Sequence, residues 1–320
     1  MNRIGEVLGF LREGPAYVSG DYISSRLALS RTAVWKYIHQ LQQMGYSVDT
    51  TKGKGYSLRS APDRLYPWEI ARHLHTASMG RTLEYRESVD STNALAFSLA
   101  LAGAAEGTCV VAEAQDAGKG RLRRTWFSPY GKNLYLSVIL RPGLHPARVY
   151  PITFLSSLAV YDTLTALGLR PALKWPNDVL VNGMKLCGTL IELSTEAELV
   201  SFVVVGIGLN INMTREELDE EIRAKATSML IETKNHFERA KVCGMLLDNL
   251  EAHYDVLRKD GVVELCRTWE ERAQIKGVQM EVVQMADVVR GTAEGIDEDG
   301  ALLLNDNGTI RKIIAGDVSF

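Results

Sequence analysis

Residues 112–126, AEAQDAGKGRLRRTW, concentrate glycine and positive charge in one short segment. After Asp116 the next carboxylate is Asp162, and the 45 residues between them contain no acid, although the formal net charge of the chain is only −3. Flexible backbone beside clustered cations can bind an anion, and we expect a loop that is mobile before its ligand arrives. The alternative is a solvated surface loop, since most charge runs are solvated. The cations of the run are Lys119, Arg121, Arg123, Arg124, Lys132, Arg141 and Arg148.

A second segment with chemical potential is KWPNDVLVNGMKLCG, residues 174–188. Its proline predicts an extended or turned backbone before it and leaves Asn177 and Asp178 exposed on a turn. Asn182-Gly183 is a strong hairpin signal, and Lys185 follows directly, so its ammonium has a fixed direction. Gly188 permits a close backbone approach. Because the string KWPND has no evident packing purpose, we expect it to be functional.

The segments around these residues read as a sheet with buried helices. Residues 107–114 form a predicted strand that leads into the loop, and residues 133–140 form the strand that leaves it. The stretch 149–167 has helical periodicity and a single charged residue among positions 150–167, so it is expected to pack against a sheet. The strand at 202–205 runs into GIGLNIN, which lacks the third glycine and the helix of a dinucleotide site.

Further elements flank this region. Ser91 is a predicted N-cap whose hydroxyl lies near the opening amides of a helix, a place that can also bind polar ligand groups. Residues 237–257 and 262–269 have helical periodicity. From residue 275 onwards, short alternating strands with turns at 297–300 and 305–308 predict a small β-barrel.

The first 60 residues carry eight Lys or Arg against four acids and so differ in charge from the acidic remainder. Ser30 is a predicted N-cap of a helix whose apolar side chains fall on one face, and the turn KGKG at 52–55 predicts a hairpin. Helices followed by a basic hairpin indicate a winged helix-turn-helix that binds DNA. The alternative is a small helical domain that docks on a protein. The predicted DNA-contacting residues are Arg31, Thr32, Lys36, His39, Gln43, Lys52 and Lys54.

The composition, with 23% charged and 46% hydrophobic residues among 320, is that of an ordinary globular protein of two or three domains. No apolar run reaches the ~18 residues that a membrane helix needs, and the N-terminus lacks a signal-peptide pattern. A cytoplasmic protein without membrane association is therefore expected. The four cysteines form no CxxC pair, which argues against a disulfide framework and a zinc site.

Seven motifs spread over almost the full length make the chain resemble biotin protein ligases of the bifunctional type, in which the ligase is also the biotin operon repressor. They are SRTAVWK, GKGYSL, DSTN, GKGRLRRTWFSP, KWPNDVLVNGMKLCGTLIEL, GIGLNIN and GALLL. The resemblance implies an α+β multidomain fold. Its parts are a winged helix-turn-helix (1–60), a linker (61–66), a mixed α/β ligase domain of the biotin/lipoyl ligase type (67–271) and an SH3-like β-barrel (272–320).

The resemblance also implies a reaction. Biotin's carboxylate attacks the α-phosphate of ATP, giving biotinyl-5′-AMP and pyrophosphate, with Mg²⁺ and fixed cations neutralising charge. A lysine of the biotin carboxyl carrier protein of acetyl-CoA carboxylase then takes the biotinyl group, without a covalent enzyme intermediate. The adenylate favours a homodimer that binds two-fold symmetric operator DNA.

Residue roles carry over by motif. Lys185 and Arg121 are the expected catalytic cations, and Asp178 is the expected contact to Mg²⁺. The expected biotin-binding residues are Ser91, Thr92, Asn93, Gln115, Gly118, Lys119, Gly120, Arg121, Lys185 and Gly188. The expected ATP or adenylate contacts are Trp126, Lys174, Asn177, Asp178 and Asn210.

Two residues depart from the family's usual loop. Lys119 replaces an arginine and loses its bidentate fork, and Arg123 stands where a glycine often occurs. We expect Arg123 to stiffen the loop, and the effect of these two residues on retention of the adenylate stays open. Three alternatives stay open: a ligase whose N-terminal domain does not regulate, a lipoyl-type ligase or acyltransferase, and a ligand-sensing repressor without catalysis.

Overall fold

The computed structural model describes residues 3–196, 198–284 and 287–319. The chain divides into two compact units, Met1–Arg64 and Leu65–Phe320. No helix among the residues described is both long and apolar enough to cross a membrane.

The first unit is a three-helix bundle with a hairpin. Its elements are α1 Arg3–Glu13, α2 Gly20–Leu27, α3 Arg31–Gln43, β1 Ser47–Thr51 and β2 Gly55–Ser60. The Ser30 side chain accepts a hydrogen bond from the backbone of Ala33 and so caps α3, as predicted. Val34, Ile38 and Leu41 are buried on the inner face of that helix. The antiparallel hairpin confirms the wing of a winged helix-turn-helix.

The second unit is built on a seven-stranded sheet. Its strands are β3 Leu83–Val89, β4 Cys109–Gln115, β5 Leu134–Leu140, β6 Pro171–Lys174, β7 Asp178–Val181, β8 Met184–Glu196 and β9 Leu199–Leu209. They lie in the order β3-β4-β5-β9-β8-β7-β6. Only the β3–β4 pair is parallel among those described. The predicted strands at 107–114, 133–140 and 202–205 are therefore confirmed as neighbouring strands.

Helices cover both faces of this sheet. They are α4 Pro67–Ala71, α5 Thr92–Leu101, α6 Ile152–Ala166, α7 Met229–Thr233 and α8 Arg239–Ala273. α5 packs with Val110, Phe202 and Val204 on one face, while α6 and α8 bury the other. The two helices predicted at 237–257 and 262–269 are arms of α8, which breaks its helical backbone at Gly261, where φ is 85°.

The C-terminal residues form a five-stranded antiparallel sheet in the order β13-β12-β11-β10-β14. The strands are β10 Gln279–Gln284, β11 Asp287–Ile296, β12 Leu302–Asp306, β13 Thr309–Ile313 and β14 Asp317–Ser319. Val282, Ala293 and Leu302 are fully buried in its core. The predicted turns at 297–300 and 305–308 connect neighbouring strands. Closure into an SH3-like barrel is consistent with this order and stays a prediction.

A buried ion pair ties the first residue of the second unit to the sheet and to α8. Glu113 on β4 and Arg239 at the start of α8 have no exposed side-chain surface, and their charged atoms lie 2.8 Å apart. Glu113 also accepts a hydrogen bond from the backbone of Leu65, and Arg239 donates to the carbonyl of Asn133. Both charges thus have hydrogen-bond partners besides each other, which a buried pair requires.

Candidate active site

The glycine-arginine loop is folded back on itself. The backbone of Trp126 donates to the carbonyl of Gly118, and that of Gly120 donates to the carbonyl of Arg124, at 2.9 and 2.7 Å. Leu122 and Arg123 both have positive φ, at 54° and 60°, in the left-handed region that favours glycine. The sequence therefore places two side chains where the backbone conformation is unfavourable for them.

Two loop cations are held by distant residues. Arg121 donates to the Asn177 side chain at 2.8 Å and to the carbonyl of Gly316 at 3.3 Å, and Arg124 forms an ion pair with Asp317. No acid near the loop in sequence holds these cations; the acid that pairs with Arg124 comes from β14, almost 200 residues further along the chain. Mobility of the loop before ligand binding stays a prediction.

Trp126 lies on two glycines of neighbouring strands. Gly188 on β8 pairs with Gly208 on β9. A Cβ atom at Gly188 would lie 2.9 Å from the indole, and one at Gly208 would lie closer still. The Lys185 ammonium lies 5.5 Å from the centre of a Trp126 ring. The close approach predicted at Gly188 is thus made by an indole, which with its glycine floor and neighbouring cation forms what we call the indole platform.

Lys185 is fixed at both its backbone and its side chain. It follows the predicted hairpin turn, where Asn182 and Gly183 have positive φ of 51° and 76°. Its backbone N–H donates to the carbonyl of Lys225, and its carbonyl accepts from Thr227. Its ammonium lies 2.7 Å from the Asp178 carboxylate. This cation is therefore positioned before any ligand binds.

Asp178 is the acid of this site. Within the described ranges no three His, Cys, Asp or Glu side chains cluster as a metal site. Mg²⁺, however, is commonly held by one or two carboxylates together with substrate phosphates. A single acid beside Lys185, whose buried carboxylate oxygen pairs with the Lys185 ammonium, fits a metal that arrives with a nucleotide.

The KWPND string packs more tightly than its sequence suggests. Trp175 is 1% exposed and its indole N–H donates to the carbonyl of Gly300, and Asn177 is buried with its amide donating to the carbonyl of Thr189. The peptide bond between Trp175 and Pro176 is cis. Two expectations are wrong: the string does have a packing role, and Asn177 and Asp178 do not lie on an exposed turn. The long-range partners that bury them are not visible locally.

Gln115, at the end of β4, performs the capping predicted for Ser91. Its side-chain carbonyl accepts from the backbone N–H of Thr92 at 2.9 Å and from the Thr92 hydroxyl at 3.1 Å. Ser91 occupies the N-cap position of α5 but its hydroxyl makes no capping bond, so that detail of the prediction is wrong. The Gln115 amide donates to the Ser128 hydroxyl. Three residues expected to bind biotin, Ser91, Thr92 and Gln115, thus lie together.

The other expected site residues fall into two groups. Asn93 and Asn210 are buried and use their side-chain amides on protein partners: Asn93 donates to Glu192, and Asn210 donates to the carbonyl of Thr227. Lys119 is exposed, and Lys174 pairs in register with Asp178 across β6 and β7. Their predicted ligand contacts stay predictions.

The expected DNA-contacting residues lie in the first unit, and all are exposed. They are Arg31, Thr32, Lys36, His39 and Gln43 on α3, and Lys52 and Lys54 on the hairpin. Trp35, which the sequence reasoning omitted, is 56% exposed and stacks on His39 with ring centroids 5.7 Å apart. The sequence did contain a signal for Trp35, because a tryptophan stood among residues that were predicted to face a groove of DNA.

Comparison with known proteins decides the family. A model described as "Biotin/lipoate A/B protein ligase family" matches residues 85–210. Models described as "HTH domain" and "Biotin protein ligase C terminal domain" match residues 3–57 and 278–320. The "Bifunctional ligase/repressor BirA" of Bacillus subtilis (strain 168) is 37% identical over 310 residues, covering 97% of this chain and 95% of that protein. The chain belongs to the biotin protein ligase family.

Two further relatives of this biotin protein ligase family member agree. The "Bifunctional ligase/repressor BirA" of Escherichia coli (strain K12) is 31% identical and covers 94% of the chain and 92% of its own length. The solved "Biotin protein ligase from Aquifex aeolicus in complex with biotin and ATP" superposes with a TM-score of 0.64 at 28% identity, covering 75% of this chain and 98% of that one. The predicted family and fold class are confirmed.

Two parts of the site in this biotin protein ligase family member were not predicted from the sequence. One is the segment 213–227, which pairs with both backbone groups of Lys185 and buries Met213 and Leu218 beside Phe127. The other is Gly316 and Asp317, which hold the loop. Neither carries a local signal, because each acts through a partner far away in the chain.

The indole platform gives a direct test. Gly208→Ala would place a methyl group within 3.0 Å of the Trp126 ring, so the indole must shift. Overpacking of this kind costs about 1–3 kcal/mol. We expect a lower midpoint of thermal unfolding and a KM for ATP raised about tenfold or more. In the double variant Gly208→Ala with Trp126→Ala, the unfolding midpoint should be restored while the KM for ATP stays raised. A wild-type KM for ATP in Gly208→Ala alone would show that the indole platform does not contribute to nucleotide binding.

Proposed function

We propose that this protein activates biotin with ATP to biotinyl-5′-AMP and transfers the biotinyl group to a lysine of the biotin carboxyl carrier protein of acetyl-CoA carboxylase. We propose further that it is a biotin-responsive repressor of transcription, that it acts in the cytoplasm and that it forms a homodimer. The observation that carries the ligase activity is the Lys185 ammonium, fixed between the Asp178 carboxylate and the Trp126 indole.

Charge neutralisation is the main demand of the first step, because both reactants are anions. An oxygen of the biotin carboxylate forms a bond to the α-phosphorus while the bond to the bridging oxygen breaks and pyrophosphate leaves. Lys185 and Arg121 supply fixed positive charge where negative charge accumulates. Mg²⁺, held by Asp178 and the phosphates when bound, adds further neutralisation.

The two substrates are positioned by two groups of residues, one around Thr92 and Gln115 and the other around Trp126. Thr92 and Gln115 present hydrogen-bonding groups to biotin, and the loop at Gly118, Lys119 and Gly120 covers it. Trp126 stacks near adenine, and Asn210 supports that edge through its bond to Thr227. Holding carboxylate and α-phosphate together converts the reaction into an effectively unimolecular one. In the second step the carrier's lysine amine attacks the acyl carbon and AMP leaves.

Biotin-dependent exchange of labelled pyrophosphate into ATP tests this proposal most directly. Exchange with biotin but not with lipoate supports a biotin ligase. Exchange with lipoate instead would favour the lipoyl-type alternative, and absence of exchange would leave a ligand-sensing repressor.

The N-terminal unit supports the second role. Its exposed α3 face and the basic hairpin have the side-chain types that bind base edges and phosphates. A homodimer would present two copies of this face to a two-fold symmetric operator. A ligase without DNA binding is the alternative, and a mobility shift that depends on biotin and ATP separates the two.

Replacing both wing lysines tests the DNA contact. Each lysine that neutralises a phosphate adds about one unit to the slope of log affinity against log salt. For Lys52→Ala with Lys54→Ala we expect weaker operator binding in mobility-shift titrations and a slope reduced by about two. Lys276→Ala, which removes an exposed lysine outside the first unit, should leave both unchanged. An unaltered slope in the double variant would take the hairpin out of the interface.

A further inference from the structure

Three buried side-chain polar atoms have no hydrogen-bond partner among the described residues: Trp126 Nε1, Asp178 Oδ1 and Tyr150 Oη. The Asp178 oxygen forms an ion pair with the Lys185 ammonium at 2.7 Å. Buried polar groups are nearly always paired, so each exception calls for an explanation, and a ligand is one of them. Trp126 and Asp178 belong to the expected nucleotide site. Tyr150 is the third exception and has no assigned role.

Tyr150 lies two residues before the start of α6 and borders a cleft. The cleft is also lined by Arg121, Thr153, Pro176 and Thr189. The Tyr150 ring packs near Phe154 and Trp175, at centroid distances of 6.4 and 6.2 Å, so the phenol is held in place by its aromatic neighbours. Burial raises the pKa of Tyr150, while the nearby Arg121 charge lowers it less. The hydroxyl therefore stays protonated and can donate.

A chain of contacts relates this cleft to the indole platform. Trp126 lies beside Lys185, Lys185 pairs with Asp178, and the neighbouring Asn177 binds Arg121. Arg121 in turn borders the cleft with Tyr150. Arg121 thus connects the cleft with the residues expected to bind the nucleotide. A guanidinium and a phenol O–H suit phosphate oxygens.

We propose that the Tyr150 hydroxyl donates a hydrogen bond to the pyrophosphate portion of ATP, making Tyr150 a binding residue for the leaving group of adenylation. This inference rests on the proposed adenylation of biotin. As the bond between the α-phosphorus and the bridging oxygen breaks, its electron pair goes to the departing pyrophosphate. Tyr150 keeps its proton throughout, and with Arg121 it stabilises the oxygens on which this charge accumulates.

Tyr150→Phe tests the inference because it removes one oxygen and leaves the packing. A hydrogen bond to a charged group is worth a factor of about ten to a hundred, so the KM for pyrophosphate in the exchange reaction should rise by that much. The KM for biotin should stay at the wild-type value. In the absence of ligand the variant should unfold at the same or a higher temperature than wild type, because it lacks a buried unpaired hydroxyl. Tyr161→Phe, on α6, is the control.

A second measurement does not depend on catalysis. Addition of pyrophosphate with MgCl₂ to the full chain should raise the unfolding temperature of wild type and Tyr161→Phe, and should raise that of Tyr150→Phe much less. An equal rise in all three proteins overturns the inference, as does a KM for biotin that changes instead. A lower unfolding temperature of ligand-free Tyr150→Phe would show a structural hydroxyl and also overturns it. If wild type catalyses no exchange, the adenylation proposal fails, and this thermal measurement still decides on Tyr150.

Discussion

Lys185→Ala is expected to abolish biotin-dependent pyrophosphate exchange. Removing one preorganised charged donor from a site of this kind costs on the order of 3 kcal/mol in the transition state, or a factor of a hundred to a thousand in rate. The effect should be this large because the Lys185 backbone and ammonium are both held before substrate binds. The loss of rate is measured from initial rates of exchange at saturating biotin and ATP.

Controls separate chemistry from folding in this variant. Lys132→Ala removes another cation of the acid-free run, one that pairs with Glu217, and should retain nearly full exchange. Lys185→Gln keeps much of the length of the side chain without its charge and should be as inactive as the alanine variant. Circular dichroism and the unfolding midpoint show whether each protein is folded. Wild-type exchange by a folded Lys185→Ala protein would remove Lys185 from the mechanism.

Arg239→Met is expected to destabilise the second unit by about 3–5 kcal/mol. Removing one member of a buried ion pair leaves the other charge without its counterion, and Glu113 has no exposed side-chain surface. The Leu65 N–H would still donate to Glu113, which compensates only in part. Urea unfolding followed by fluorescence should show a lower midpoint.

The matched comparison is Arg267→Met on the same helix, because its arginine is 60% exposed and pairs only with surface acids among the partners described for it. Its midpoint should stay close to wild type, as exposed pairs contribute little. Adding Glu113→Gln to Arg239→Met should recover part of the lost stability, since no unpaired charge then remains. Equal unfolding midpoints for the Arg239 and Arg267 variants would mean that the buried ion pair contributes no more to stability than an exposed pair does.

Local patterns predicted most of the elements that form the site. Periodicity and capping identified α3, α6 and the strands on both sides of the loop, and Asn182-Gly183 correctly gave the hairpin that positions Lys185. These features depend on residues within a few positions of each other, so the sequence contains their cause.

Features that depend on distant partners were not predictable. Arg124 meets Asp317, Trp175 meets Gly300, and Gln115 replaces the Ser91 hydroxyl as the cap of α5. Each pairing joins segments whose separation is set by the order of strands rather than by any local motif. Tyr150 was missed for the same reason, because only the folded chain shows that its hydroxyl has no hydrogen-bond partner among the residues described.

The positive φ angles of Leu122 and Arg123 have a consequence for the loop's populations. A non-glycine residue in this region costs roughly 1–2 kcal/mol, so the two together disfavour the folded-back loop by about thirtyfold or more relative to a loop with glycine at both positions. The contacts of Arg121 and Arg124, or a bound ligand, must offset that penalty. The free energy needed to hold Leu122 and Arg123 in this conformation therefore lowers the affinity of the loop for any ligand that requires the folded-back form. The adenylate, if the loop retains it, is bound with an affinity reduced by this amount.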